Sequence, residues 1–76
     1  MSIKPDVVLD LKGLHCPMHI MKTKKALDLM KAGQIIEVIS NDKGSKSDIS
    51  GLCRRLGLEL ISTTEENGIF RFTIRK

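Results

Sequence analysis

Apolar and polar positions along this chain change period several times, and each change marks an element. Val7-Val8-Leu9-Asp10-Leu11 alternates apolar with mixed positions and predicts a strand over residues 7–11, ending at Lys12-Gly13. From Pro17 the period lengthens. Ile20, Thr23, Leu27 and Met30 recur at helical spacing with lysines between them, which predicts a helix over residues 17–31 with Gly33 as its C′ residue. Lys24, Lys25 and Lys31 in its later turns suit the negative end of the helix dipole. Ile35-Ile36-Glu37-Val38-Ile39 predicts a second strand over residues 35–39, and its near-continuous apolarity suits an interior strand with a parallel neighbour. Ser40-Asn41-Asp42-Lys43-Gly44 is turn chemistry, after which Ser45 or Ser47 is the expected cap of a second helix, helped by Asp48 in its first turn. Ile49, Leu52, Cys53 and Leu56 form one apolar stripe, and Gly57 ends that helix. Residues 58–63 read as a third strand, and Asn67-Gly68 is a strong hairpin signal. Beyond it Phe70, Phe72 and Ile74 alternate with Arg71, Thr73 and Arg75 in a fourth strand, residues 69–75.

The order is β-α-β-α-β-β. Right-handed crossovers put both helices on one face, so the expected fold is a two-layer α/β (α+β) sandwich with a mixed four-stranded sheet and a half-polar open face. No composition break or repeat divides the 76 residues, which read as a single domain over 1–76. A chain of this size buries roughly 60% of its unfolded surface and has no room for a deep substrate cavity. Chemistry is therefore expected at the surface, with a partner completing the pocket. The N-terminus lacks the apolar region of a secretory signal, and no apolar run reaches membrane-spanning length. A cytoplasmic protein is expected, with Cys16 and Cys53 reduced rather than forming a disulfide framework.

Candidate chemistry centres on Gly13-Leu14-His15-Cys16-Pro17-Met18-His19, where the first strand gives way to the first helix. Pro17 suits the first helical position, because its φ is preset and its missing N–H would be unpaired there. That makes Cys16 the expected N-cap, facing unpaired N–H groups and the positive end of the dipole. Such a setting favours thiolate over thiol and predicts a nucleophilic sulfur. Cys53, in the apolar stripe of the second helix, is expected in the core, with a second redox or resolving thiol as the alternative. Cys16, His15, His19 and a buried Cys53 do not make a four-ligand zinc set within one chain, so no metal is expected there, a site shared between chains staying open, and no cofactor is expected.

The net charge of +4 is moderate, and its distribution carries more information. Lys22, Lys24, Lys25 and Lys31 lie on the first helix; Lys43, Lys46, Arg54 and Arg55 lie on or near the second. They form either a solvated helical surface or a docking surface for an acidic protein, an RNA or a small anion. Met18 and Met21 near the start of the first helix suit an adaptable partner surface beside Lys22 and Lys25; Met21 and Met30 read equally as core fillers, a reading that fits Met30 better. An RNA-binding or regulatory module on the basic helices is the alternative function. Against it, the chain has no Tyr or Trp for base stacking and its two phenylalanines are assigned to the core. A thiol redox enzyme would want a Cys-x-x-Cys pair, which is absent.

Asp10-Leu11-Lys12-Gly13-Leu14-His15-Cys16-Pro17-Met18-His19 resembles the signature of the TusA/SirA sulfur-carrier family, Asp-x-x-Gly-Leu-x-Cys-Pro-x-Pro. The resemblance continues through Ala32-Gly33-Gln34, Asp48-Ile49, Gly51-Leu52-Cys53 and the closing hairpin, nearly the whole chain. It implies that Cys16 accepts sulfane sulfur, as persulfide or thiosulfonate, from a desulfurase- or rhodanese-like donor protein. The load would pass to a sulfur-accepting protein in a relay such as tRNA thiolation or sulfur oxidation. The chain would work with partner enzymes rather than as a stand-alone catalyst, touching nucleic acid only indirectly and no membrane directly. Carried over, Gly13 makes the tight turn, Leu14 belongs to the motif, Pro17 starts the helix, and Asp10 is a motif residue without an assigned role. The departure is His19, where the family usually has a second proline. Either its backbone N–H gives the Cys16 sulfur one more hydrogen bond and lowers its pKa, or its imidazole serves as a cation or proton donor beside the load.

Overall fold

The computed structural model describes residues 4–14 and 18–76. Six elements follow in order: β1 (Val7–Asp10), α1 (Met18–Asp28), β2 (Ile35–Ser40), α2 (Ser45–Leu56), β3 (Glu59–Glu66) and β4 (Ile69–Arg75). The strands form one sheet in the order β1-β2-β4-β3, with β1 parallel to β2 and β4 antiparallel to both of its neighbours. β4 returns through the Asn67-Gly68 turn, both residues at positive φ, and inserts between β2 and β3. The two-layer sandwich with a mixed sheet therefore forms as the periodicity predicts.

Alternation sorts the sheet into two faces. Ile36, Val38 and Ser40 of β2 and Phe70, Phe72 and Ile74 of β4 are buried on the helical side, against Leu27 and Met30 from the first helical stretch and Ile49, Leu52 and Cys53 from α2. Leu11, just after β1, is buried with them. On the open side, Glu37 pairs with Arg71 at 3.0 Å and Glu59 with Arg75 at 3.1 Å, bridging β2 to β4 and β4 to β3. Such exposed pairs contribute little to stability and chiefly keep the open face polar.

Several boundaries and caps differ from the expected ones. α1 ends at Asp28 rather than at residue 31. The Leu29 and Met30 N–H groups turn back to the Ala26 and Leu27 carbonyls, and the Lys76 ammonium donates to the Leu27 and Met30 carbonyls. A cation from the far end of the chain thus satisfies the negative end of the helix, a role expected of local lysines. Gly33 is not the C′ residue; its N–H bonds the Lys76 carbonyl at 2.7 Å. Neither Ser45 nor Ser47 caps α2. Gly44 occupies the N-cap, and the two hydroxyls donate backward to the Asp42 and Gly44 carbonyls. β1 stops one residue early, β2 runs one further, and β3 reaches Glu66 because cross-strand pairing with β4 extends it past its apolar part.

Gly57 closes α2 at φ 69°, with its N–H on the Cys53 carbonyl. An added Cβ would meet no atom there, so Gly57→Ala would cost only backbone strain, about 1–2 kcal/mol in a urea unfolding titration. Phe72 is fully buried at the centre of the sheet, and Phe72→Ala should lose about 3–5 kcal/mol in the same measurement.

Candidate functional site

The parallel pairing of β1 with β2 runs in register to Asp10 and Ile39, so the chain leaves both strands at the same edge of the sheet. The segment after β1 and the loop joining β2 to α2 therefore emerge side by side. Asp10, whose place in the motif carried no assigned role, accepts the Lys12 N–H on Oδ1 at 3.0 Å and starts the turn out of the strand. Leu14 donates its N–H to the Leu11 carbonyl at 3.1 Å and packs against the core. Gly13 sits at φ 88°, which a side chain would strain, and its N–H donates to Asn41 Oδ1 at 3.0 Å. The tight turn expected at Gly13 is thus present, and the neighbouring loop holds it.

His15, Cys16 and Pro17 lie outside the described residues, between this turn and the start of α1 at Met18. On the helical side of that interval stands His19. Its side chain is wholly buried, facing α2 rather than solvent. Nε2 lies 3.1 Å from Asp48 Oδ2, and because a carboxylate only accepts, Nε2 carries the proton and donates. Nδ1 lies 3.7 Å from Asp42 Oδ2, beyond hydrogen-bond reach. Thr23, one turn on, donates its hydroxyl to the His19 carbonyl at 2.7 Å. The imidazole is therefore enclosed between the helices and not presented at the surface, where a cation beside a bound load would have to stand.

Asn41, Asp42 and the His19 contact of Asp48 were not singled out from the sequence, which marked residues 40–44 only as turn chemistry. The signal lay in the predicted parallel pairing: parallel neighbours end at one edge, so a polar cluster after the second strand faces the loop after the first.

Cys53 is 3% exposed on the core side of α2, as its stripe predicts. Burial pushes its thiol above the ordinary value of 9.0. On the outer face of α1, Met18 and Met21 are exposed at 46% and 60%, whereas Met30 is in the core. Lys22 and Lys25 are exposed and, with Leu9, Ala26 and Leu29, line an apolar-floored cleft of about 240 Å³ between α1 and β1. A second groove, about 500 Å³, runs between the helices from Ile20 and Asp48 to Arg54 and Arg55. Among the described residues no group of three or more His, Cys, Asp or Glu side chains could hold a metal ion, and no helix is long and apolar enough to cross a membrane.

Two outcomes follow for Cys53. Iodoacetamide should leave it unmodified in folded Cys16→Ser protein and label it after denaturation, as read by mass. Because the folded thiol keeps its proton to higher pH than the unfolded one, its contribution to stability is complete below about pH 9.0 and is lost as pH rises through the folded value. Urea titrations of the native protein should therefore weaken above that pH more steeply than those of Cys53→Ala.

The profile of the family described as Sulfurtransferase TusA matches residues 7–76. YrkI of Bacillus subtilis (strain 168) is 46% identical over 74 residues, covering 97% of this chain and 99% of that protein. The sulfur carrier protein TusA of Allochromatium vinosum is 42% identical over 71 residues, 93% of each chain. In fold, the chain is similar to the crystal structure of a SirA-like protein from Desulfitobacterium hafniense, with a TM-score of 0.79 and 24% identity over 91% of this chain and 95% of that one. The turn at Gly13, the parallel β1–β2 edge and the closing hairpin all fall inside the matched residues, and the chain belongs to the TusA family of sulfur carriers.

Proposed function

We propose that the protein carries sulfane sulfur on Cys16 and passes it to a partner protein. The observation that carries this reading is the burial of the other cysteine. Cys53 is sealed in the core with its thiol held neutral, so exchange with another protein falls to Cys16. In sequence Cys16 lies between the anchored Gly13 turn and α1, which begins at Met18.

In the loading step the Cys16 thiolate attacks the outer sulfur of a donor cysteine persulfide. The donor's S–S bond breaks, its cysteine leaves as thiolate, and Cys16 becomes the persulfide. In the unloading step an acceptor cysteine attacks that outer sulfur and Cys16 leaves as thiolate. Each step exchanges one S–S bond for another, so no external oxidant or reductant is consumed. Splitting the transfer in two lets donor and acceptor use the same small surface in turn. A thiosulfonate load would bind the same sulfur.

The outer face of α1 is the docking surface we assign to these partners. Met18 and Met21 offer adaptable apolar contact, and Lys22 and Lys25 flank the cleft beside β1, a combination that suits an acidic surface with an apolar centre. Base stacking, which the alternative RNA-binding role would use, finds both phenylalanines buried.

Incubation with a cysteine-persulfide donor followed by intact-mass measurement should add about 32 Da, one sulfur atom, to the native protein and to Cys53→Ser, and nothing to Cys16→Ser. An adduct that persists in Cys16→Ser, or none on any variant, rejects the reading.

A further inference from the structure

The groove of about 500 Å³ between α1 and α2 has Ile20 and Leu52 for its apolar lining, Asp48 towards one end and Arg54 and Arg55 towards the other. Gly51, in the middle of α2, lines it as well. Nothing in the fold explains that glycine. Unlike Gly13, Gly33, Gly57 and Gly68, it does not sit at positive φ. A Cβ added there would meet no atom within 4 Å, so no neighbouring element among the described residues needs the space. Inside a helix, glycine destabilises relative to alanine because it loses more backbone freedom on folding. The centre of α2 therefore carries a cost for which the described residues have no use, and the space left open borders the groove.

Charge gives the second observation. Arg54 and Arg55 are exposed and make no ion pair among the described residues. The Asp48 carboxylate is already engaged by the His19 ring at 3.1 Å. Lys24, one turn beyond Ile20 on α1, adds another exposed cation. An apolar lining with uncompensated positive charge at one end fits an occupant that is apolar along one stripe and acidic beside it.

We propose that this groove is a second docking site, taking an acidic amphipathic helix of a partner protein whose backbone passes close over Gly51. From Asp48 to Arg55 the groove follows about two turns of α2, roughly 10 Å. Over that length a helix presents apolar residues at i, i+3 or i+4, and i+7. These would meet Ile20 and Leu52, while its acidic residues pair with Arg54 and Arg55. A second copy of this chain is a poor occupant, because its own helices are rich in lysine and arginine. A nucleic acid fits less well too: its phosphates would run past Asp48, and its bases find no aromatic ring in the lining. The groove uses the face of α1 that carries Ile20, apart from the cleft at Lys22 and Lys25, and the proposal holds whether or not Cys16 carries sulfur.

The test uses a fluorescent peptide of about 15 residues with leucines at helical spacing and glutamates elsewhere, beside a version with lysine for glutamate. Fluorescence anisotropy at low salt should show binding of the glutamate peptide and none of the lysine peptide, with amide NMR shifts at Ile20, Gly51 and Leu52. Gly51→Leu fills the open space and should weaken binding about tenfold. Reversal of both charges, Arg54→Glu with Arg55→Glu, should weaken it by about the same factor. Gly51→Ala separates fold from docking: its thermal midpoint should rise by about 4 °C while its affinity falls.

Failure of the glutamate peptide to bind overturns the proposal, as does binding that neither Gly51→Leu nor the arginine reversal weakens. A Gly51→Ala protein less stable than the native one shows that the fold itself requires the glycine, and also overturns it. Tighter binding of an oligouridylate with shifts at the same amides assigns the groove to nucleic acid instead. A dimer in sedimentation that Gly51→Leu abolishes assigns it to a second copy, and either result rejects the acidic helix.

Discussion

The rest of the molecule depends on the burial of β2. It is paired on both sides, parallel to β1 and antiparallel to β4, and Ile36, Val38 and Ser40 are sealed beneath the helices. A strand held by two ladders and a packed face has little freedom in register, since a slip of one residue would turn Ile36 and Val38 outward and Glu37 inward. Its end point is therefore a fixed reference. Asn41 and Asp42 follow from it directly, and through them the geometry of a rigid strand reaches the turn at Gly13 and the first turn of α1.

This arrangement suits a carrier better than an enclosed catalyst. Among the described residues, the groove between the helices and the cleft between α1 and β1 are open to solvent, as expected for a chain of 76 residues. Sulfur transfer between proteins needs a thiol that successive partners reach from outside, and a second cysteine of similar reactivity would invite an internal disulfide. Burial of Cys53 removes that competition by keeping its sulfur protonated and covered.

His19 connects stability with the site. A proline at that position would have no side-chain donor to reach α2. The imidazole replaces apolar packing with a donor that must find an acceptor, and Asp48 supplies one from the neighbouring helix. The two helices are thereby joined by a directional contact and not by packing alone. Lys76 does the same at the other end of the first helical stretch, carrying the chain terminus to the Leu27 and Met30 carbonyls.

The number, order and kind of elements were legible in the sequence because each depends on period and local chemistry. Alternation at Phe70, Phe72 and Ile74, the stripe of Ile49, Leu52 and Cys53, and the Asn67-Gly68 turn are properties of neighbours in the chain, and so is the Gly13 turn before Cys16. Helix ends and the surroundings of the motif were not legible, because distant residues decide them. The Lys76 ammonium ends the first helical stretch from the far end of the chain, Gly44 displaced Ser45 and Ser47 as the cap, and Asp48 drew His19 into the interior. A hydrogen bond satisfied across long sequence separation leaves no periodic trace. Sequence alone placed a cysteine at a strand-to-helix junction, and only the tertiary structure decided what holds that junction on either side: side-chain acceptors from a loop made adjacent by parallel pairing.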